Sequence, residues 1–196
     1  MAFIRPYVTE KFTSYKGDAV TTRLSLAVWL KDDYTKKEPI GRIKVLVKKG
    51  DIEAVKNLSG YYIFTDLAPG EYPIGYESDL YFSDETPVNT SLLDPKSPVF
   101  EFILKPRPSY PFPAHATLIR GLILKPNKEP VAKADVKAVE ANIETESDDN
   151  GEFVLYFNDI KNKKITIEIK KGGAPTTIKV NLEEGKTKSL GRIIFS

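Results

Sequence analysis

The chain has no cysteine and only one histidine, one methionine and one tryptophan among 196 residues. Without cysteine there is no disulfide staple, no thiolate metal site and no thiol nucleophile. With His115 alone, a serine–histidine–aspartate set has one possible centre. That residue follows directly on a proline-rich run and reads more simply as a boundary residue. No stretch approaches the roughly 18 consecutive apolar residues of a membrane span. Residues 1–10 lack the apolar core of a signal peptide. The expectation is a protein made without an export signal, cytoplasmic or released with an assembly, and without membrane insertion. An excess of one charge is missing too. Residues 1–112 carry 15 basic and 15 acidic side chains, and residues 113–196 carry 14 and 12. Neither half is a polycation, so nucleic acid is not an expected partner. Lys161, Lys163, Lys164 and Lys170-Lys171 read as solvated faces or strand-edge gatekeepers. No amphipathic helix of useful length is visible.

What is present is one stretch written twice. Glu129-Pro130-Val131 is followed by alternating Ala134, Val136 and Ala138, then by Asn150-Gly151-Glu152-Phe153-Val154-Leu155. Glu38-Pro39-Ile40 is followed by Ile43, Val45 and Val47, then by Ser59-Gly60-Tyr61-Tyr62-Ile63-Phe64. Glu38 and Glu129, Pro39 and Pro130, and Gly60 and Gly151 are each separated by 91 residues. The offset persists in Ile74 and Tyr76 against Ile165 and Ile167, and in Phe102 and Leu104 against Ile193 and Phe195. A period of two in these runs predicts strands with one buried face. Asn150-Gly151 predicts a two-residue hairpin turn with positive φ at both positions. Leu24, Leu26, Val28 and Leu30 share one face of a strand, and Trp29 falls on the other. Residues 78–98, with three prolines, predict a long loop with one short extended piece. The second half predicts strands near 117–123, 134–140, 152–157, 164–170, 176–182 and 188–195. Two copies are too few for a solenoid and specify a duplicated domain.

Between the copies, Pro106, Pro108, Pro111 and Pro113 exclude a sheet interior and favour an extended, semi-rigid spacer. Tyr110 and Phe112 are placed to pack back onto one neighbour. The resulting division is residues 1–104 for an N-terminal β-sandwich with an extended arm, 105–114 for the linker, and 115–196 for a second sandwich. The expected class is all-β, with two tandem immunoglobulin-like or transthyretin-like sandwiches.

Gly121, Pro130-Val131 with Ala134 and Val136, and Asn150-Gly151-Glu152-Phe153 resemble the carboxypeptidase regulatory-like domain family. The resemblance covers about residues 115–196 and implies a transthyretin-like (prealbumin-like) sandwich of seven strands. Residues 39–72 look like a divergent relative. Such modules are usually accessory and seldom catalyse, so the resemblance implies binding or spacing rather than chemistry. Some transthyretin-like proteins hydrolyse a purine-derived lactone with several histidines and a Tyr-Arg-Gly-Ser-type tail. This chain has one histidine and ends Gly191-Arg192-Ile193-Ile194-Phe195-Ser196.

The remaining candidates are surfaces. Asp148-Asp149-Asn150, with Glu144, Glu146 and Glu152, offers oxygen ligands for Ca²⁺; turn chemistry alone accounts for the same residues. Asp32-Asp33 reads the same way. No cofactor is expected. Trp29, Tyr34, Tyr61, Tyr81 and Phe82 form a possible interaction surface, because amphipathic rings suit interfaces. Partial burial in the core is the alternative. The expected function is a non-catalytic structural or protein-interaction module in a larger complex, one version being a component of a phage-tail-like particle. A carbohydrate-binding or surface-adhesion protein is the alternative and requires a coplanar aromatic platform.

Overall fold

The computed structural model describes residues 22–158, 160, 163–173 and 175–195. The expected N-terminal arm and Lys161 lie outside them. The first half forms β1 (Leu24–Asp32), β2 (Ile43–Val47), β3 (Ile52–Glu53), β4 (Val55–Lys56), β5 (Tyr62–Thr65), β6 (Glu71–Ser78), β7 (Asp84–Asn89) and β8 (Val99–Leu104). The second half forms β9 (Thr117–Leu124), β10 (Asp135–Ala138), β11 (Ile143–Glu146), β12 (Glu152–Phe157), β13 (Lys163–Lys170), β14 (Thr176–Leu182) and β15 (Thr187–Ile194). Single 3₁₀ turns at Thr90–Leu92 and Val139–Ala141 are the helical elements among the described residues.

The protein is all-β, and its two halves share one wiring. In the first, sheet β4-β5-β1-β8 packs on sheet β3-β2-β6-β7; in the second, β12-β9-β15 packs on β11-β10-β13-β14. The opening strand of each half pairs antiparallel with one neighbour, β5 or β12, and parallel with the closing strand, β8 or β15. The 91-residue offset maps core onto core. Tyr62, Phe64, Ile74, Tyr76, Phe102 and Leu104 are buried in one sandwich, and Phe153, Leu155, Ile165, Ile167, Ile193 and Phe195 in the other. Removing each such side chain from water contributes roughly 1.5–3 kcal/mol.

Five expectations need correction. The Gly151 turn is not a two-residue hairpin. Positive φ occurs at Gly151 (77°) and not at Asn150. The turn is a three-residue loop in which Asp148 N donates to Glu152 O and Gly151 N donates to Asp148 O. Its flanking strands belong to different sheets, β11 beside β10 and β12 beside β9. The same loop recurs 91 residues earlier: Asn57 N donates to Tyr61 O, Gly60 N donates to Asn57 O, and Gly60 has φ 87°. The strand β11 was missed because its alternation, Ile143, Glu144, Thr145, Glu146, carries so little apolar weight. Leu24 is exposed although it fits the alternation, because the β1–β5 register shifts between Leu24 and Leu26; such a shift moves a side chain off the core face. The span 78–98 holds a full strand, β7, which tolerates Pro87 because it lies at a sheet edge.

The proline-rich run does not stand off as a spacer. Pro106 makes a β-bridge with Tyr81, Phe82 N donates to Lys105 O, and Arg107 N donates to Leu80 O. Tyr110 is buried in the first core, and Phe112 packs against both sandwiches. Gly121 of β9 leaves room for the Phe153 ring, since a Cβ there would lie 2.6 Å from that ring.

Candidate functional site

The five aromatic residues expected to form one surface are distributed over four places. Tyr81 is fully buried. Its hydroxyl donates to Asp32 Oδ2 at 2.8 Å and accepts from Ile40 N at 3.1 Å. Tyr110 from the proline-rich run donates to the same oxygen at 2.6 Å, and Asp32 Oδ1 accepts from Tyr34 N at 2.7 Å and Thr35 N at 3.0 Å. Asp32, itself wholly buried, thus receives four donors, which is what a buried carboxylate requires. Burial first, then the bond to Asp32, pushes both phenols well above their ordinary range. They act as fixed donors.

Tyr34 sits at the seam between the sandwiches. Its ring packs edge-on against Tyr110, Phe112 and Tyr156, with centroids 6.1, 5.0 and 5.7 Å away. Beneath it, Ala116, Leu118 and Val154 form a small apolar cluster. This explains why Val154 is buried on the face of β12 opposite the core residues Phe153 and Leu155. Tyr156 donates to Asp33, Asn158 Nδ2 donates to Tyr34 O at 3.2 Å, and Arg120 Nη1 donates to Pro108 O at 2.8 Å. Burial opposes charge on Asp33, but hydrogen bonds from Lys36 and Tyr156 and the charges of Lys36 and Lys105 outweigh it, so its pKa lies below the usual carboxylate value.

Phe82 lines a cleft of about 520 Å³ between the sandwiches, with Ile103 and Lys105 on one wall and Asp135, Lys137 and Glu146 on the other. The Arg107 guanidinium lies 5.5 Å from the Phe82 ring centre.

Trp29 and Tyr61 remain together, on the outer face of the β4-β5-β1-β8 sheet. Their centroids are 4.9 Å apart and their planes are inclined at 47°. Gly60 lets the chain pass the indole: a Cβ there would approach the Trp29 ring to 3.2 Å. Beside this pair an apolar row crosses all four strands. Val55 is opposite Ile63, Ile63 opposite Ala27, and Ala27 opposite Val99. None of these residues packs in the core cluster beneath; Val55 is 71% exposed and Val99 is exposed, Ile63 is half-buried, and Ala27 is buried between its neighbours. Ile103, opposite Lys31, and Leu58, fully exposed on the loop after β4, extend the apolar area. Its rim is charged. Lys31 faces Glu101 at 3.9 Å, and Lys56 Nζ donates to Glu38 Oε1 at 2.9 Å. The sequence pointed to Trp29 and Tyr61. The row beside them depends on strand register, which no single run discloses.

The other candidates resolve into structural roles or open surface. Asp148 Oδ1 accepts from Asn150 N and Glu152 N, both at 2.9 Å, and Asn57 Oδ1 does the same for Ser59 N and Tyr61 N. No group of three or more histidine, cysteine or acidic residues is placed to hold a metal ion among the described residues. His115 borders an open depression that also touches Thr35, Lys36 and Glu184. The Thr117 hydroxyl beside it is engaged by Gly185 N at 2.8 Å. Among the described residues no helix is long and apolar enough to cross a membrane.

Comparison with known protein families and with curated proteins finds no match. Among solved structures, the chain is similar over 39% of its length to a type II cohesin–X-dockerin complex from Acetivibrio cellulolyticus, with 21% identity and a TM-score of 0.29, spanning 52% of that chain. It is similar over 86% of its length to the Bacillus anthracis TIE protein, with 13% identity and a TM-score of 0.31, spanning 33% of that chain. A streptococcal ancillary pilin matches over 87% of this chain and 68% of its own, with 10% identity and a TM-score of 0.29. The chain therefore spans about half and about a third of the first two.

Proposed function

We propose that this chain is a non-catalytic protein-interaction module, which docks a protein partner through the outer face of the β4-β5-β1-β8 sheet as part of a larger assembly. The observation that carries the reading is the row Val55–Ile63–Ala27–Val99 beside Trp29 and Tyr61. A sheet with one face on the core and one in water alternates apolar and polar residues; here one row of outward positions is apolar across four strands. An apolar centre with a charged rim is the anatomy of a protein interface. The 47° inclination of Trp29 to Tyr61 disfavours the glycan alternative, because a sugar ring stacks on a flat shelf. Catalysis finds no support in the buried polar groups. Both Asp32 oxygens are engaged, and Tyr81, Tyr110 and Tyr156 hold their protons too firmly to act as bases.

Membership of the carboxypeptidase regulatory-like family belongs to the same proposal. Seven strands in sheets of four and three, and the Asp148–Glu152 loop, support it.

The test is sedimentation from lysate of the native host, comparing the wild type with a V55D/V99D variant whose folding is verified by thermal melting. The wild type is expected in a large particle and the variant near the 22.0 kDa monomer position. Identical sedimentation of the two proteins would remove the docking face from consideration.

A further inference from the structure

Among the described residues, the second sandwich has an open lateral edge. β14 is the edge strand of its sheet and, among the described residues, pairs with β13 alone, from Lys163↔Leu182 to Ile169↔Thr176. Its other side makes no backbone hydrogen bond to a turn or loop among the described residues. β15 is the edge of the opposite sheet and, among the described residues, pairs with β9 alone. The margin of the core lies between these two edges. Ile178 and Leu190 pack against that core but are partly exposed. A groove of about 420 Å³ runs along it. Its charged lining is Lys164, Lys179 and Lys188, without a carboxylate, and Asn181 sits opposite Lys164 across the strand pair. The neighbouring acids are engaged elsewhere: Glu183 accepts from Lys186 Nζ at 2.5 Å, and Glu140 accepts from Thr166 N and its hydroxyl.

We propose that this groove is a docking site for an acidic, extended peptide segment of a partner protein, added as a strand beside β14. Three features meet here: unpaired main-chain groups along a seven-residue edge, an apolar floor for alternate side chains, and lysines for the carboxylates between them. Lysines on an edge also deter unwanted pairing. They deter neutral and cationic strands, and an acidic strand is the one they admit. The first sandwich supplies the contrast. Its edge at the same place in the sheet, β7, carries Asp84, Glu85 and Pro87, and proline offers no ladder donor. β14 contains no proline.

The experiment uses the full chain, isotope-labelled, and two capped heptapeptides, Glu-Val-Glu-Val-Glu-Val-Glu and its Lys-Val counterpart. Fluorescence anisotropy gives the affinity and amide NMR gives the location. The acidic peptide is expected to shift amides of residues 176–182 and 187–191, to bind about tenfold tighter than the basic one, and to weaken as salt is raised. The K164E/K179E/K188E variant changes only surface side chains, and in it the preference is expected to reverse. Equal binding of the two peptides, or shifts confined to other surfaces, would overturn the proposal. So would concentration-dependent shifts at β14 without peptide, which would make a second copy of this chain the occupant. The docking face on the first sandwich is untouched by the lysine changes, so failure at one site leaves the other standing.

Discussion

Asp32 offers the sharpest quantitative test. Replacing it with alanine removes an acceptor from two backbone N–H groups and two buried phenols. An unsatisfied buried donor costs about 1–3 kcal/mol. Tyr81 and Tyr110, whose rings are 5.6 Å apart, can relieve part of this by bonding to each other. The two backbone groups lose their side-chain acceptor, and Thr35, which is exposed, can recover part of that from water, so the expected loss is about 2–4 kcal/mol, a large share of a small domain's stability. Asp32→Asn keeps the carbonyl for Tyr34 N and Thr35 N and presents an amide to hydroxyls that can turn to accept. It is expected to cost only about 1–2 kcal/mol, the charge-assisted part of the bonds. Tyr110→Phe removes one of four donors and should also cost about 1–2 kcal/mol. Urea unfolding followed by fluorescence reads this directly, because the only tryptophan, Trp29, lies in the same strand, three residues from Asp32. A loss below about 1 kcal/mol for Asp32→Ala would refute the claim that this carboxylate ties β1, the strand β7 approach and the proline-rich run together.

The two equivalent glycines should differ in tolerance. A Cβ on Gly151 would lie 2.4 Å from Ile123 O, which is backbone, whereas on Gly60 it meets the edge of Trp29 at 3.2 Å. Both have positive φ, so Gly60→Ala is expected to cost about 1 kcal/mol and Gly151→Ala about 2 kcal/mol or more in thermal or urea unfolding; equal costs would refute the steric reading. Asp33 gives a pH dependence. Its folded pKa is depressed below 3.8, so its contribution is present above that value and is lost as the pH falls through the folded pKa. Calorimetry between pH 2 and 5 is expected to show a shallower acid slope for Asp33→Asn, and an unchanged slope would count against the Asp33–Tyr156 link.

The repeat was legible because it is written in core residues. A strand pair such as Tyr62/Phe64 and Phe153/Leu155 needs only the right side chains at the right spacing. Elements that depend on the far side of the molecule were not legible. Tyr81 reads as a surface aromatic until Asp32, 49 residues earlier, is placed against its hydroxyl. β7 was hidden by Pro87, because only the sheet order shows that this strand needs no donor on one side. The turn at Gly151 was recognised, but its type was not, since Asp148 sets the loop through its own side chain. The proposed docking face was half visible. Trp29 and Tyr61 stood out by type, whereas Val55, Ala27 and Val99 become a row only when three registers are known.

In each sandwich the chain enters along one strand and leaves along its parallel neighbour. In the first, six consecutive rows join Ala27–Asp32 to Val99–Leu104. A pull applied through the two ends of such a unit does not peel these rows apart in turn. It loads them together, in shear, with the force along the strands. The second sandwich repeats the arrangement through β9 and β15, and the seam at Tyr34 and Tyr156 joins the two units side to side. Resistance to stretching is a matter of the unfolding rate under load, and a chain wired in this way is suited to carry tension between whatever it joins.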